Sequence, residues 1–354
     1  MPVIFDGHND ALTRDDHASI VEGRPAGHLD LPRMRQAGMR GGIFAVFTES
    51  EGADLFPVPR DDGVLEFSYA PPVPFERAAA HASAAAGRLL ALERVGHLRV
   101  ARRPEDLDAA HDDEGPPLAV LHLEGAEAID PGLEALELWH QAGLRSLGPV
   151  WSRANAFAHG VPFISPSSPD TGPGLTDAGR ALVRRCAELG ILVDVSHLNQ
   201  AGFWDLARME LGPVVASHSA VHALCPTSRN LTDEQLDAIG ASGGLVGIVF
   251  ACSFLRADFA DDPDTPISLI ADHARYVADR IGTDHVALGS DFDGATMPAE
   301  LGDASGMPKV LDALRNAGFS EVEIDAIAWG NWRRVLGEWW GCLLYTSDAA
   351  DDLT

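Results

Sequence analysis

Apolar runs of strand length recur along the chain at 3–6, 42–48, 118–123, 145–150, 191–195, 213–216, 245–250 and 286–289. Runs that are apolar throughout, and not alternating, suit strands covered on both faces. The stretch 191–230 shows the unit most clearly. Its two apolar runs are each followed at once by a Ser-His pair, Ser196-His197 and Ser217-His218. Between them, 199–210 has Phe203, Leu206 and Ala207 at helical spacing. Strand, helix and strand make a βαβ unit that delivers a histidine at the carboxyl end of each strand. Repeated eight times, the pattern predicts an α/β fold of the (β/α)8 TIM-barrel type, whose chemistry sits at that end.

The helices are predicted on local grounds. Residues 75–95 are rich in Ala, Leu and Arg, and Pro131 is expected in the first turn of a helix ending near Gly143. Capping boxes open helices at Thr232 and Ser320, and Trp329, Trp332, Trp339 and Trp340 read as a helix packed on the barrel. Two long loops, 49–74 and 151–175, follow strands and are expected to shape the mouth. Residues 342–354 carry no periodicity that joins them to the preceding helix. They are set apart as a non-native tail, leaving one catalytic domain over 1–341.

Composition narrows the function. The net charge is −27, and the 26 basic residues are all Arg except Lys309. Nucleic acid is excluded as a partner, because phosphate contacts need clustered cations. No run of 18 apolar residues predicts a membrane span, and the N-terminus lacks the pattern of a secretory leader. The four cysteines form no CxxC pair, so neither a disulfide framework nor a thiolate zinc site is indicated, and a reducing cytoplasm is the expected compartment.

Polar groups gather at the predicted strand ends. The first strand ends in His8 and Asp10, two apart and so on one side of an extended segment; the third ends in His122 and Glu124. The fifth and sixth end in His197 and His218, the eighth in Asp291 and Asp293. Histidines and carboxylates at one barrel mouth suit zinc or a similar divalent ion, and the donors outnumber what one tetrahedral ion takes. Two ions sharing a carboxylate fit the count. The remaining histidines, His28, His81 and His273 among them, are expected in solvated or packing roles.

On the motifs DGHND (6–10), HLEG (122–125), LGILVDVSH (189–197), ASHS with LCPTSRNLTDEQL (216–236) and DHVALGSDFDG (284–294), the chain resembles the membrane (renal) dipeptidase family of zinc peptidases, in a soluble bacterial branch. The resemblance implies that His8, Asp10 and Glu124 hold one Zn2+ and that Glu124, His197 and His218 hold a second. It implies that Asp291 handles the proton of a zinc-bridging hydroxide and of the leaving amine. Arg229, with Asn230 beside it, would receive the free carboxylate of a small dipeptide. A homodimer is likewise implied. The pattern departs at Trp151, where the family usually has a histidine that stabilises the oxyanion; Arg153, Asn155 or His159 from the same loop would have to supply a donor. Two alternatives stand beside a dipeptidase. One is a same-fold amidohydrolase acting on a non-peptide amide, lactone or ester; the other is a non-catalytic metal-binding homologue. The amidohydrolase variant bridged by a carboxylated lysine is excluded, because Lys309 lies in a helical stretch after the last strand.

Overall fold

The computed structural model describes residues 2–51, 57–67, 70–112 and 115–341; the tail set apart above lies outside the described residues. The eight apolar runs become β1 (Ile4–Asn9), β2 (Met39–Phe47), β3 (Leu118–Glu124), β4 (Leu144–Gly148), β5 (Leu192–Val193), β6 (Val215–Ser219), β7 (Leu245–Ile248) and β8 (Val286–Leu288). Strands β1 to β5 pair in sequence order and so do β6 to β8, every pair parallel. Parallel bridges Asp194↔Val215 and Asn9↔Phe292 close the two seams. The order and closure are those of a (β/α)8 barrel.

Strand boundaries shift where polar residues enter the ladder. β6 starts later than its apolar run and continues through His218, so this histidine lies inside the strand. β5 keeps only Leu192–Val193, because Asp194 turns to bind Ser196 and Ser217. The β1–β2 register slips between Asp6 and Asn9 and the β6–β7 register between Ala216 and Ser219. Such irregularities re-aim side chains, and these two bracket His8 and His218.

Both capping boxes form, with Thr232 accepting from Gln235 N and Ser320 from Glu323 N. The expectation at Pro131 is corrected. The helix is Glu134–Ala142, because the Asp130 carboxylate accepts from Glu134 N and Ala135 N and moves its start beyond the proline. Gly143 ends it at φ 108°, as expected. The C-terminal helix Asn331–Gly341 lies against the sheet, its indoles donating to Leu288 O, Pro213 O and Arg145 O at 2.9, 3.0 and 3.2 Å. The Trp332 ring fills the space beneath Gly7 and leaves no room there for a side chain. The two long loops meet: Pro57–Pro59, Leu65–Phe67 and Ile164–Ser165 form an antiparallel sheet. Residues 52–56 and 68–69 of the first loop lie outside the described residues.

Candidate metal centre

A cavity of ≈ 750 Å³ is lined by Asp10, Glu124, His197, His218 and Asp291, all at the carboxyl ends of strands. One oxygen organises it. Glu124 Oε1 lies 3.6 Å from His8 Nε2, 2.9 Å from His197 Nε2 and 3.4 Å from His218 Nε2. His8 Nε2 is 3.6 Å from Asp10 Oδ2, and the Nε2 atoms of His197 and His218 are 3.0 Å apart. Ligand atoms of His8, Asp10 and Glu124 lie within 4.8 Å of one another, as do those of Glu124, His197 and His218. Asp291 forms a further such group with His8 and His218.

The donor set fits a divalent cation on a direct observation: His8 Nε2 and Asp10 Oδ1 are buried with no hydrogen-bond partner. Orphaned buried donors and acceptors are costly unless something binds them. Charge agrees. Burial opposes protonation of His8, yet Glu124, Asp10 and Asp291 outweigh it and raise its pKa to about 10, while burial pushes the Glu124 carboxyl well up. The first direction marks a cluster of acids that draws positive charge, and the second marks a carboxylate taken out of water. His197 and His218 are held well below the ordinary range by burial, with Arg229 and His8 adding to it, so both imidazoles stay neutral and able to donate a lone pair.

Local sequence explains the aim of these groups. Asp291 has φ 64° and Asp293 φ 70°, a left-handed conformation that Asp tolerates better than most residues. Asp291 N donates to His8 O at 3.0 Å, which fixes the last strand end against the first. Burial pushes the Asp291 carboxyl up to about 6, with His8 and Arg229 opposing and Asp10 adding to the rise. Gly294 packs so close to the Asp10 and Asp291 carboxylates that a Cβ would collide with both.

The other predicted residues divide. Arg229 is buried at the edge of the cluster, its Nη2 3.2 Å from His197 Nε2 and 2.9 Å from His218 O, its Nη1 3.0 Å from Ser219 Oγ, and its Nε without a partner. Burial lowers its pKa to about 10, against the pull of Asp291, Asp194 and Glu124. Asn230 ties Cys225 O to Phe254 O through its amide nitrogen. Trp151 lines the cavity, its ring 5.7 Å from that of His197. None of the three proposed substitute donors has a hydrogen bond into the metal-ligand cluster. Arg153 is fully buried on Glu127 at 2.8 Å, with its guanidinium over Phe47 and Trp151. Asn155 donates to Pro149 O, and His159 Nδ1 meets Gly174 O at 3.3 Å.

Sequence reasoning missed three features. Arg77 and His81, one helical turn apart on Phe75–Arg94, line the cavity, and their i, i+4 spacing was the available signal. His28 Nδ1 accepts from Asp293 N, so it shapes the turn beside Asp291 and is not merely solvated. Asp194 gathers the serines that precede both β5- and β6-end histidines.

The chain matches the family model described as membrane dipeptidase (peptidase family M19) over residues 1–340. It is 44% identical to the dipeptidase AC, a solved metallopeptidase of family M19, with a TM-score of 0.89 over 96% of this chain and 99% of that one. It is 42% identical to a Rhodobacter sphaeroides metallopeptidase solved with a phosphinate mimic of the dipeptide L-Ala-D-Ala, TM-score 0.89, covering 96% and 100%. A Klebsiella pneumoniae protein of the pqqA 5′ region is 47% identical over 246 residues, 70% of this chain and 90% of that protein. Among the described residues no helix is long and apolar enough to cross a membrane.

Proposed function

The chain belongs to the membrane dipeptidase family, peptidase family M19, a family of metallopeptidases of dipeptidase type, and from that premise we propose that it hydrolyses the amide bond of small free dipeptides at a two-zinc centre. The observation that carries this reading is the position of Glu124 Oε1, within 3.6 Å of three histidine Nε2 atoms, from β1, from the segment after β5 and from β6. A single carboxylate so placed can serve two ions. In this reading His8, Asp10 and Glu124 hold one and Glu124, His197 and His218 the other. Zinc bound there supplies Lewis acidity toward the scissile carbonyl and acidifies water.

The chain's own residues do the rest. Asp291, on a turn pinned to His8 O, receives the proton of the attacking water and returns it to the departing amine nitrogen. Arg229, whose Nε has no hydrogen bond, pairs with the free carboxylate and so favours dipeptides over internal peptide bonds. Trp151, Phe163 and Phe254 form the apolar wall that excludes water from the bound substrate. The bound dipeptide mimic in the Rhodobacter sphaeroides relative supports this substrate class. Elemental analysis tests the centre: two divalent ions per chain in active protein are expected, and active protein without any would overturn it.

A second reading, hydrolysis of a non-peptide amide, lactone or ester, is favoured by Trp151 in place of the histidine that the family resemblance leads one to expect, while Asn155 and His159 bond elsewhere. Arg229→Ala separates the two. A dipeptidase loses most of its activity, whereas a substrate without a carboxylate is turned over as before.

A further inference from the structure

Asp194, directly after β5, is buried and accepts four hydrogen bonds. Ser196 N, Ser196 Oγ and Ser217 N donate to its Oδ1 at 3.0, 2.7 and 2.9 Å, and Ser217 Oγ donates to its Oδ2 at 2.5 Å. A serine hydroxyl carries one proton. Ser217 gives its proton to Asp194, so where Ser217 Oγ meets His218 Nδ1 at 2.7 Å the imidazole is the donor. A neutral imidazole protonated at Nδ1 has its lone pair at Nε2. That atom faces Glu124 Oε1 at 3.4 Å and His197 Nε2 at 3.0 Å. The backbone is fixed by the same carboxylate, since Ser196 Oγ accepts from His218 N at 3.1 Å while donating to Asp194. His197 is held differently: Ser152 Oγ lies 2.8 Å from its Nδ1 in a contact where either atom can donate.

We propose that Asp194 is a positioning residue for His218: acting through Ser217 Oγ, it sets the Nδ1–H tautomer and aims the Nε2 lone pair at the cation site. The proposal rests on the reading of His218 as a metal ligand. It assigns a chemical task to the Asp of the DVSH motif and to the Ser that precedes His218, neither of which is among the residues read as ligands of the two ions; the Asp194 carboxylate itself lies within 4.8 Å of ligand atoms of His8 and His122.

The test uses the full chain. Side-chain 15N NMR of the histidines in chelator-treated protein reads the tautomer, and competition with a chromogenic chelator reads Zn2+ affinity. For the unmodified protein, His218 is expected as the Nδ1–H form. In Asp194→Asn, the carboxamide NH2 turns the Ser217 proton toward His218, and in Ser217→Ala the partner is gone. Asp194→Asn is expected to shift His218 toward the Nε2–H form and Ser217→Ala to lose the single tautomer, and both are expected to bind one of two zinc ions about 10–100-fold more weakly. Ser217→Thr keeps the hydroxyl and is expected to restore tautomer and affinity. Where D194N fails to fold, S217A carries the test. Unchanged tautomer and affinity in folded S217A, or no rescue by S217T, would overturn the proposal. His218→Ala in the same titration identifies which idea failed: if it binds zinc as the unmodified chain does, the ligand assignment itself falls and the positioning role with it.

Discussion

Arg24 Nη1 donates to Asp293 Oδ2 at 3.1 Å, and neither side chain reaches solvent. The pair joins the segment after β1 to the turn after β8, the two stretches that carry Asp10 and Asp291. Asp293 also accepts from His28 N at 2.6 Å and Leu29 N at 3.4 Å. Removing one partner of a buried, hydrogen-bonded pair leaves the other uncompensated and costs about 3–5 kcal/mol. Asp293→Ala is therefore expected to lower stability by about that amount in urea unfolding, and to weaken activity in the protein that remains folded. Unfolding within about 0.5 kcal/mol of the unmodified chain would contradict the role given to this pair.

Gly294 offers a cleaner separation of site from scaffold. The atoms nearest to a Cβ placed there all belong to the carboxylates of Asp10 and Asp291. Gly294→Ala is expected to displace one or both and to reduce kcat/KM by about 10²-fold, since a misplacement near 1 Å is enough for that. The melting temperature should change little. Loss of stability with kinetics intact would show that the close approach serves packing alone.

The cavity has one aromatic side. Phe47, Trp151, Phe163 and Phe254 follow one another at ring-centroid distances of 4.7, 5.6 and 5.6 Å, and Arg229 lies 5.5 Å over the Phe254 ring. Beside the proposed carboxylate site, such a wall favours bulky apolar side chains on the dipeptide. Trp151→Ala is expected to cost roughly 10–100-fold in kcat/KM for dipeptides with large apolar residues, and much less for Ala-Ala. An equal loss across both substrates would assign Trp151 to holding His197, against which its ring packs.

Acid should weaken the fold through His273. Its Nδ1 accepts from Val221 N at 3.0 Å and its Nε2 meets Leu255 O at 3.1 Å, so the ring is used in its neutral form. Burial lowers its pKa from 6.5 to about 4, with the bond to Leu255 opposing. Because the folded value is the lower one, the unfolded chain binds the proton more readily. The contribution is complete above pH 6.5 and disappears as pH falls toward 4, a loss on the order of 3 kcal/mol. In His273→Gln the dependence of unfolding free energy on pH should flatten over that interval. A slope identical to that of the unmodified protein would rule the residue out as its source.

Much of this architecture was legible in the chain because buried parallel strands write themselves as apolar runs. The residues that end those runs, His8, Glu124, His197 and His218, could be assigned to one mouth for the same reason. Capping boxes at Thr232 and Ser320 were legible because the bonds join residues three apart. What could not be read depends on tertiary direction. Arg153 shares a loop with Trp151, yet it is drawn inward by Glu127, distant in sequence. His81 sits on an ordinary-looking helix and faces the cavity only because that helix packs beside β2. The Pro131 boundary moved because an Asp side chain captured two backbone N–H groups first. Asp194 reads as one more strand residue until Ser196 and Ser217 are brought around it.

The most direct test of the central claim is amino-acid release from a panel of free L,L and L,D dipeptides by the zinc-loaded protein, with Glu124→Gln in parallel. Hydrolysis of unblocked dipeptides is expected, absent for their C-terminal amides and abolished in E124Q. Zinc-loaded, folded protein that cleaves none of the dipeptides, or E124Q that cleaves them at the unmodified rate, would contradict it.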